Sequence, residues 1–371
     1  MLNGQGYGAV ADQLASCRFD PGLLRPYIDG QGRRCVTVNN GKGGYEKRLV
    51  GELINNGIHS PVFNATSLRK EEWIQLDTVV LKAARQRLRA WADLAGANTY
   101  GGFNGMSKTM LEHETMSDPG EAIVDMDGLT EGRGDEPKFQ LEGLPLPITH
   151  SDFWFSARRL AASRNSGTPL DTTMAEAAGR RVAEMIEQTL IGTQTGITYG
   201  GTNTLSYGRN PTVFGYTNFT SRNTKTDLNT PTGTNPEAVM QDVLEMRDQL
   251  YDDRFYGPFM LYHSTAYDQY LDNDYFRSGG TSVLQTLRQR IESIDGISGV
   301  RRLDFLTSGF QMIMVQMTPD VARAVNGMDI TTVQWESVGG MRLNFKVMAI
   351  QVPQLRADYD GRCGIVHATT A

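Results

Sequence analysis

The chain has 371 residues, of which 39% are hydrophobic and 21% charged, with a formal net charge of −6; this length allows two or three domains or subdomains with sizeable cores. The acidic balance argues against a sequence-specific DNA binder, which relies on a basic face or tail, and Cys17, Cys35 and Cys363, in no CxxC spacing, suggest neither a disulfide framework nor a zinc site. The opening MLNGQGYGAVADQ has no basic segment or apolar run of a signal peptide, and no stretch approaches the roughly 20 apolar residues of a membrane span, so synthesis in a cytoplasm and no membrane partner are expected.

Residues 1–66 are rich in Gly, Asn and Arg with scattered apolar positions, and read as an irregular arm. From Trp73 to Ala95 the apolar positions Ile74, Leu81, Ala84, Leu88, Trp91 and Ala95 recur at helical intervals, with Gly96 ending the run. Arg85, Arg87 and Arg89 decorate this helix, either as a solvated face or as a surface offered to nucleic acid. Residues 100–150 read as a long two-stranded excursion. Its strand candidates are Ala122–Met126 and Phe139–Leu144, flanking the charged, glycine-rich tip GLTEGRGDEP that carries Arg133 and Asp135, with Lys138 just beyond it. A lone ribbon of this kind is marginal in water, so it is expected to rest on another chain.

Pro145 and Pro147 then keep LPLPITHSDFWF extended, where Phe153, Trp154 and Phe155 form a run of aromatic anchors. A helix of about 20 residues follows, with Asp171 and Thr172 supplying capping oxygens at its start. Thr173 and Glu176 have capping-box spacing, Gly192 stands at the stop, and Met174, Ala178, Val182 and Met185 form an apolar row with Ala175, Ile186 and Leu190 beside it. Such a helix spans roughly 30 Å, enough for the spine of a flat subunit. Residues 193–235 are dominated by Thr, Asn, Gly and Tyr, and predict a small β-rich insertion. The last third alternates helix and strand: a helix from Pro236, a strand at PFMLYHS, helices at TAYDQYLDNDYF and VLQTLRQRIESI, a buried strand at FQMIMVQM, a short helix at DVARAVNG and an alternating strand at RLNFKVMAIQVPQL.

Chemical motifs are weak throughout. Gly41-Lys42-Gly43-Gly44 lacks both the earlier glycine and the following Ser or Thr of a phosphate loop. Glu112-His113-Glu114 and His150-Ser151-Asp152 carry acid/base side chains, but neighbours on a strand face opposite ways, and His59, His263 and His367 form no metal-binding pair. No catalytic, cofactor-binding or metal residue is assigned, and an enzyme is not expected.

The segments LPLPITHSDF, GTPLDTT and AAGRRVAEMIEQTLIGT resemble the major capsid proteins of tailed bacteriophages and their cellular relatives, the encapsulins; weaker similarity covers about 70–367. The resemblance implies an α+β chain of the tailed-phage capsid (Johnson) fold. Its parts would be an N-terminal arm (1–66), the N-terminal helix of a peripheral domain (67–99), an extended hairpin loop (100–150), the peripheral domain with its spine helix (151–192), the insertion (193–235), an axial domain (236–340) and a return strand of the peripheral domain (341–371). It further implies self-assembly through pentamers and hexamers into an icosahedral head around double-stranded DNA, held by weak non-specific contact. A portal protein, with scaffolding and decoration proteins as candidates, would be the other partners, and the virion, assembled in the host cytoplasm, the location. On this reading Arg133, Asp135, Lys138, Phe153, Trp154 and Phe155 are candidate inter-subunit contacts, and Arg85, Arg87 and Arg89 candidate interior DNA-facing residues. The alternative is an encapsulin shell packaging a cargo enzyme; the long arm favours the phage. A soluble α/β enzyme is a third class, for which no motif was found.

Overall fold

A computed structural model describes residues 25, 27–39, 45–49, 68–118, 122, 124–127, 136–166, 172–193, 213–232, 235–276, 282–307 and 309–370. In chain order it contains β1 (Tyr27–Ile28), β2 (Arg34–Asn39), β3 (Tyr45–Leu49), α1 (Lys70–Arg87), α2 (Ala90–Ala97), β4 (Thr99–Tyr100), β5 (Met110–Met116), β6 (Phe139–Pro145), β7 (Thr149–Ser156), α3 (Ala157–Ser166), α4 (Thr173–Ile191), β8 (Asn223–Lys225), α5 (Pro236–Asp252), β9 (Phe259–Ser264), α6 (Asp268–Leu271), β10 (Asp274–Phe276), β11 (Ser282–Thr286), α7 (Leu287–Glu292), β12 (Ile297–Leu303), β13 (Gln311–Gln316), β14 (Ala322–Ser337), β15 (Arg342–Leu355) and β16 (Ile365–Thr369).

Two sheets organise the body: a four-stranded one in the order β4-β14-β15-β7 and a five-stranded one in the order β12-β9-β13-β16-β8. The spine, α4, is present as the sequence predicts, and Gly192 ends it in the left-handed region at φ 98°, which glycine enters without a Cβ penalty. Its orientation differs from the expected one. Met174 and Met185 are exposed, while Ala175, Ala178, Gly179, Val182, Ala183, Ile186 and Leu190 are buried. Small side chains win this face because α1 crosses there closely: a Cβ on Gly179 would meet the Val80 carbonyl oxygen at 2.9 Å. The capping box is also absent, since the N-cap is Thr172 without a side-chain cap bond; only its carbonyl accepts, from the Glu176 amide at 2.9 Å.

One large core joins α1, α2 and α4 to both sheets. Phe345 of β15 sits at its middle, stacked on Phe153 at 5.1 Å between ring centroids, with Phe155 at 5.6 Å and Trp73 at 6.0 Å edge-on; such aromatic pairs add to simple area burial. Strand β13 is buried on both sides, Ile313 and Val315 toward this core and Met312 and Met314 toward a second core under α5 and α7. That explains a continuous apolar run where a half-buried strand would alternate.

Several elements depart from the sequence expectations. The single helix over 73–95 is two, because the chain is extended at Leu88 (ψ 94°) between α1 and α2. DVARAVNG is a turn at Asp320–Val321 followed by the start of the 16-residue strand β14, not a helix: its apolar positions Ala322, Ala324 and Val325 fit either period, and pairing along β15 decides. VLQTLRQRIESI divides into the end of β11 and α7, and TAYDQYLDNDYF ends in β10. The described part of the 1–66 arm is not irregular, since β1, β2 and β3 form an antiparallel sheet. In the 193–235 segment the described residues hold one short strand, β8, and fold back on the spine, with the Tyr216 amide donating to the Leu190 carbonyl at 2.9 Å. The chain also crosses between the two sheets three times, between β7 and β8, between β13 and β14, and between β15 and β16. β14 belongs with β7 and β15, whereas β16 returns beside β13, so neither 236–340 nor 341–371 stays within one sheet.

Candidate intersubunit surface

Strands β5 and β6 pair in antiparallel register from Met110 opposite Pro145 to Met116 opposite Phe139. The ribbon therefore exists, but its first strand precedes the expected one; Ala122 and Val124 to Met126 are not in a strand. Opposed residues share a face, so register sorts the side chains into two sets. Leu111, His113 and Thr115 lie opposite Leu144, Glu142 and Gln140. Leu111 and Leu144 of this set pack against Leu146, Val325, Ile350 and Val352, anchoring the ribbon's base to the body. Burial holds the His113 pKa below its usual value, helped less by Arg356 and Arg323 and opposed by Glu142, whose oxygen lies 3.4 Å from Nε2.

The other set is Glu112, Glu114 and Met116 opposite Gly143, Leu141 and Phe139. Here Met116 is 54% exposed, Phe139 63% and Leu141 37%, and both glutamates are exposed. A face of apolar side chains edged by carboxylates, on a two-stranded ribbon too thin to bury them itself, is suited to lie against another surface. Beyond it, Ser117 and Lys138 hold the strands together: the Ser117 amide donates to the Lys138 carbonyl at 2.9 Å, and the Lys138 amide to Ser117 Oγ at 3.0 Å.

The candidate contact residues separate accordingly. Lys138 is exposed, and Arg133 and Asp135 lie outside the described residues. Phe153 and Phe155 are a correction: both are 3% exposed, held in the subunit's own aromatic core, and offer no surface to a neighbour. Alternation along β7 puts Trp154 on the opposite side, 52% exposed, with the Arg342 guanidinium 4.4 Å above its ring. His150 and Asp152, two apart, share that outer side: His150 Nδ1 is 3.4 Å from Asp152 Oδ1, and Lys346 Nζ is 3.6 Å from Asp152 Oδ2. Of the arginines, Arg85 is exposed on α1 and Arg89 exposed just before α2. The break between the helices removes the single face they were expected to share, and the Arg87 side chain lies outside the described residues. The residues that sequence reasoning missed, Met116, Phe139 and Leu141, follow from alternation once the partner strand is known to be 110–116.

A family model described as "Family of unknown function (DUF6260)" matches residues 64–368. The chain belongs to this DUF6260 family. Among solved structures, the DUF6260 chain is similar to the virus-like particle from Pyrococcus furiosus, with a TM-score of 0.53 and 17% identity over 81% of this chain and 98% of that one. It is similar also to the capsid of Myoviridae phage XM1, with a TM-score of 0.51 and 13% identity over 74% of this chain and 90% of that one. Among curated proteins, the type 1 encapsulin shell protein EncA of Myxococcus xanthus is 26% identical over 247 residues, 64% of this chain and 74% of that protein. The α+β DUF6260 chain thus has the tailed-phage capsid fold, as the arm-and-spine segment led us to expect. Among its described residues no helix is long and apolar enough to cross a membrane.

Proposed function

We propose that this protein is a structural shell subunit, and that many copies close into the icosahedral head of a tailed bacteriophage around double-stranded DNA. The observation that carries the reading is the exposed face of Met116, Phe139 and Leu141, which a neighbouring copy would cover. Its mechanism is mechanical: stability is summed over repeated contacts, each obligate interface burying upward of about 2,000 Å². The ribbon and its tip, with Arg133, Asp135 and Lys138, would lie over the next subunit, and Trp154 would meet a neighbour through the outer side of β7. The elements between 236 and 340 would gather around five-fold and six-fold axes. Arg85, Arg87 and Arg89 would face the enclosed DNA through weak, salt-sensitive contacts. Portal, scaffolding and decoration proteins are the further partners this reading calls for, and the virion its location.

A second reading, an encapsulin-type compartment around a cargo protein, is favoured by the similarity to the Myxococcus shell protein. Negative-stain microscopy of the purified protein tests what the two share: closed shells tens of nanometres across are expected, and small globules under all assembly conditions would refute both. Particles from the native source, treated with nuclease and then opened, separate them. Protected double-stranded DNA supports the head, and a co-packaged protein without DNA supports the compartment.

A further inference from the structure

Side chains along β15 alternate between the aromatic core and the outer side of the four-stranded sheet. Leu343, Phe345, Val347 and Ala349 belong to the core, so Arg342, Asn344 and Lys346, and further along Ile350 and Val352, face out. Ile350 and Val352 pack with Leu144 at the base of the subunit's own ribbon. Toward the β14–β15 turn the same face is open. There Trp154 of β7, Asn344 of β15 and Trp335 of β14 stand in one row across three strands. The Arg342 guanidinium lies over the Trp154 indole, Lys346 Nζ is 5.8 Å from the centre of the Trp335 ring, and between them Asn344 Nδ2 donates to Ser337 Oγ at 2.8 Å. Lys346 is paired with Asp152. Arg342 has no carboxylate within ion-pair distance among the described residues, and its place over Trp154 holds it ready for one. At the turn just beyond, Val338 is 73% exposed and Met341 62%. Val338 also has φ 55°, which a β-branched residue adopts only under strain, so this end of the sheet costs the isolated subunit stability.

We propose, resting on the shell reading above, that this face is the seat for the ribbon of a neighbouring copy: Met116, Phe139 and Leu141 lie on the tryptophan row, and Glu114 pairs with Arg342. The charges are complementary. The ribbon's outer set is apolar with two carboxylates, Glu112 and Glu114, that have no ion pair among the described residues; the seat is aromatic with an unpaired guanidinium. The shapes also agree. From Trp154 to Trp335 is two strand spacings, about 10 Å, so a ribbon with one spacing between its strands fits along the row, and sheet faces stack in this way with interleaved side chains. The rings around Arg342 would shield its pair with Glu114 from water, where a guanidinium and a carboxylate attract most strongly. Both cations stand over the ring faces that a nucleobase would need for stacking, which favours a protein occupant. Because ribbon and seat are different patches of one chain, the contact runs head to tail and can close into a ring of copies.

Charge reversal in the full-length chain tests the pair. Glu114→Arg and Arg342→Glu each set like charges against one another, and each is expected to lower the yield of closed particles in sedimentation at least about tenfold at fixed subunit concentration. With both reversals in one chain the yield is expected to return. Both positions are exposed, so the unfolding midpoint of unassembled subunit should not move. Full yield from either single variant, or no recovery in the double one, overturns the seat while shells of the unmodified chain leave the shell reading standing; an unmodified chain that forms only small globules overturns both. Should a reversed chain fail to fold, Arg342→Lys keeps the charge and supplies an amine. In particles assembled from light and heavy isotope-labelled copies of that variant, a carbodiimide, which condenses a carboxylate with an adjacent amine, is expected to join Glu114 of one copy to position 342 of another. A link from 342 to a carboxylate outside the ribbon, or no link, would equally overturn the proposal.

Discussion

Substituting alanine at two helical glycines should change stability in opposite directions. In a helix interior Gly→Ala ordinarily stabilises by up to about 1 kcal/mol, through the entropy removed from the unfolded chain. At Gly96, in α2, a Cβ meets nothing within 4 Å, so a gain of about 0.5–1 kcal/mol is expected. At Gly179 the new carbon would meet the Val80 carbonyl oxygen at 2.9 Å, Cγ1 at 3.0 Å and Cα at 3.2 Å. Two of these are backbone atoms of α1, so a rotamer change cannot relieve the clash and the helices must separate. Overpacking of this kind costs about 1–3 kcal/mol. With backbone as the obstacle the upper half applies, and after the propensity gain Gly179→Ala should lose about 1–2 kcal/mol. Urea unfolding of unassembled subunit at one fixed concentration measures both, because assembly would otherwise add its own linkage. Should Gly179→Ala stabilise as Gly96→Ala does, the close helix crossing is not what selects glycine.

Removing the ring at the centre of the aromatic core, Phe345→Ala, should cost about 3–5 kcal/mol in the same unfolding assay, since its partners cannot collapse into the space. Phe139→Ser combined with Leu141→Ser should change subunit stability by less than about 1 kcal/mol yet sharply lower the yield of closed particles in sedimentation; undiminished assembly would count against the ribbon face. Two buried groups should give pH dependences of opposite sign. Burial, with Arg222 adding to it, holds the His367 pKa down to about 4. The native state thus favours the neutral ring, and stability present above about pH 6.5 is lost as pH falls toward 4. Glu187 works the other way, its native pKa of about 7 exceeding the ordinary 4.5. The folded chain then retains a proton the unfolded one has released, and stability falls by about 3 kcal/mol as pH rises between those values. Denaturation from about pH 4.5 to 7 should show a steeper acid loss in Glu187→Gln than in the unmodified chain, and a shallower one in His367→Gln.

The spine, its glycine stop, the α5 start at Asn235-Pro236 and the strands β6, β9, β13 and β15 were legible because each carries a strong local signal of period, cap or apolar density. What failed depended on a partner distant in sequence. The true buried stripe of α4 could not be told from the Met174–Met185 row until α1 was known to cross at Gly179. The segment DVARAVNG, in which β14 begins, reads equally well as a helix until aligned with β15. The strand at 110–116 carries Glu112, His113 and Glu114, which look like loop or site residues; only pairing with 139–145 turns them into one polar and one apolar-acidic face. Phe153, Trp154 and Phe155 show the same limit. Three consecutive aromatics suggested one sticky patch, yet a strand must send the middle one away from its neighbours. Glu187 was invisible for a related reason, as an ordinary glutamate on α4 whose two donors, the Ala90 and Trp91 amides, come from α2.

The position of β16 makes closure of the five-stranded sheet depend on a segment late in the chain. It fills an interior place in the five-stranded sheet, between β13 and β8, although β8 precedes it by more than a hundred positions. Until residues 365–369 leave the ribosome, β13 and β8 have unpaired edges, and Val366 and Ala368 are missing from the core beneath α5. A nascent chain lacking this strand would expose the kind of edge that recruits other strands indiscriminately. The five-stranded sheet therefore closes only when residues 365–369 take their place, so a chain cut before residue 365 would carry two open strand edges and an incomplete core under α5.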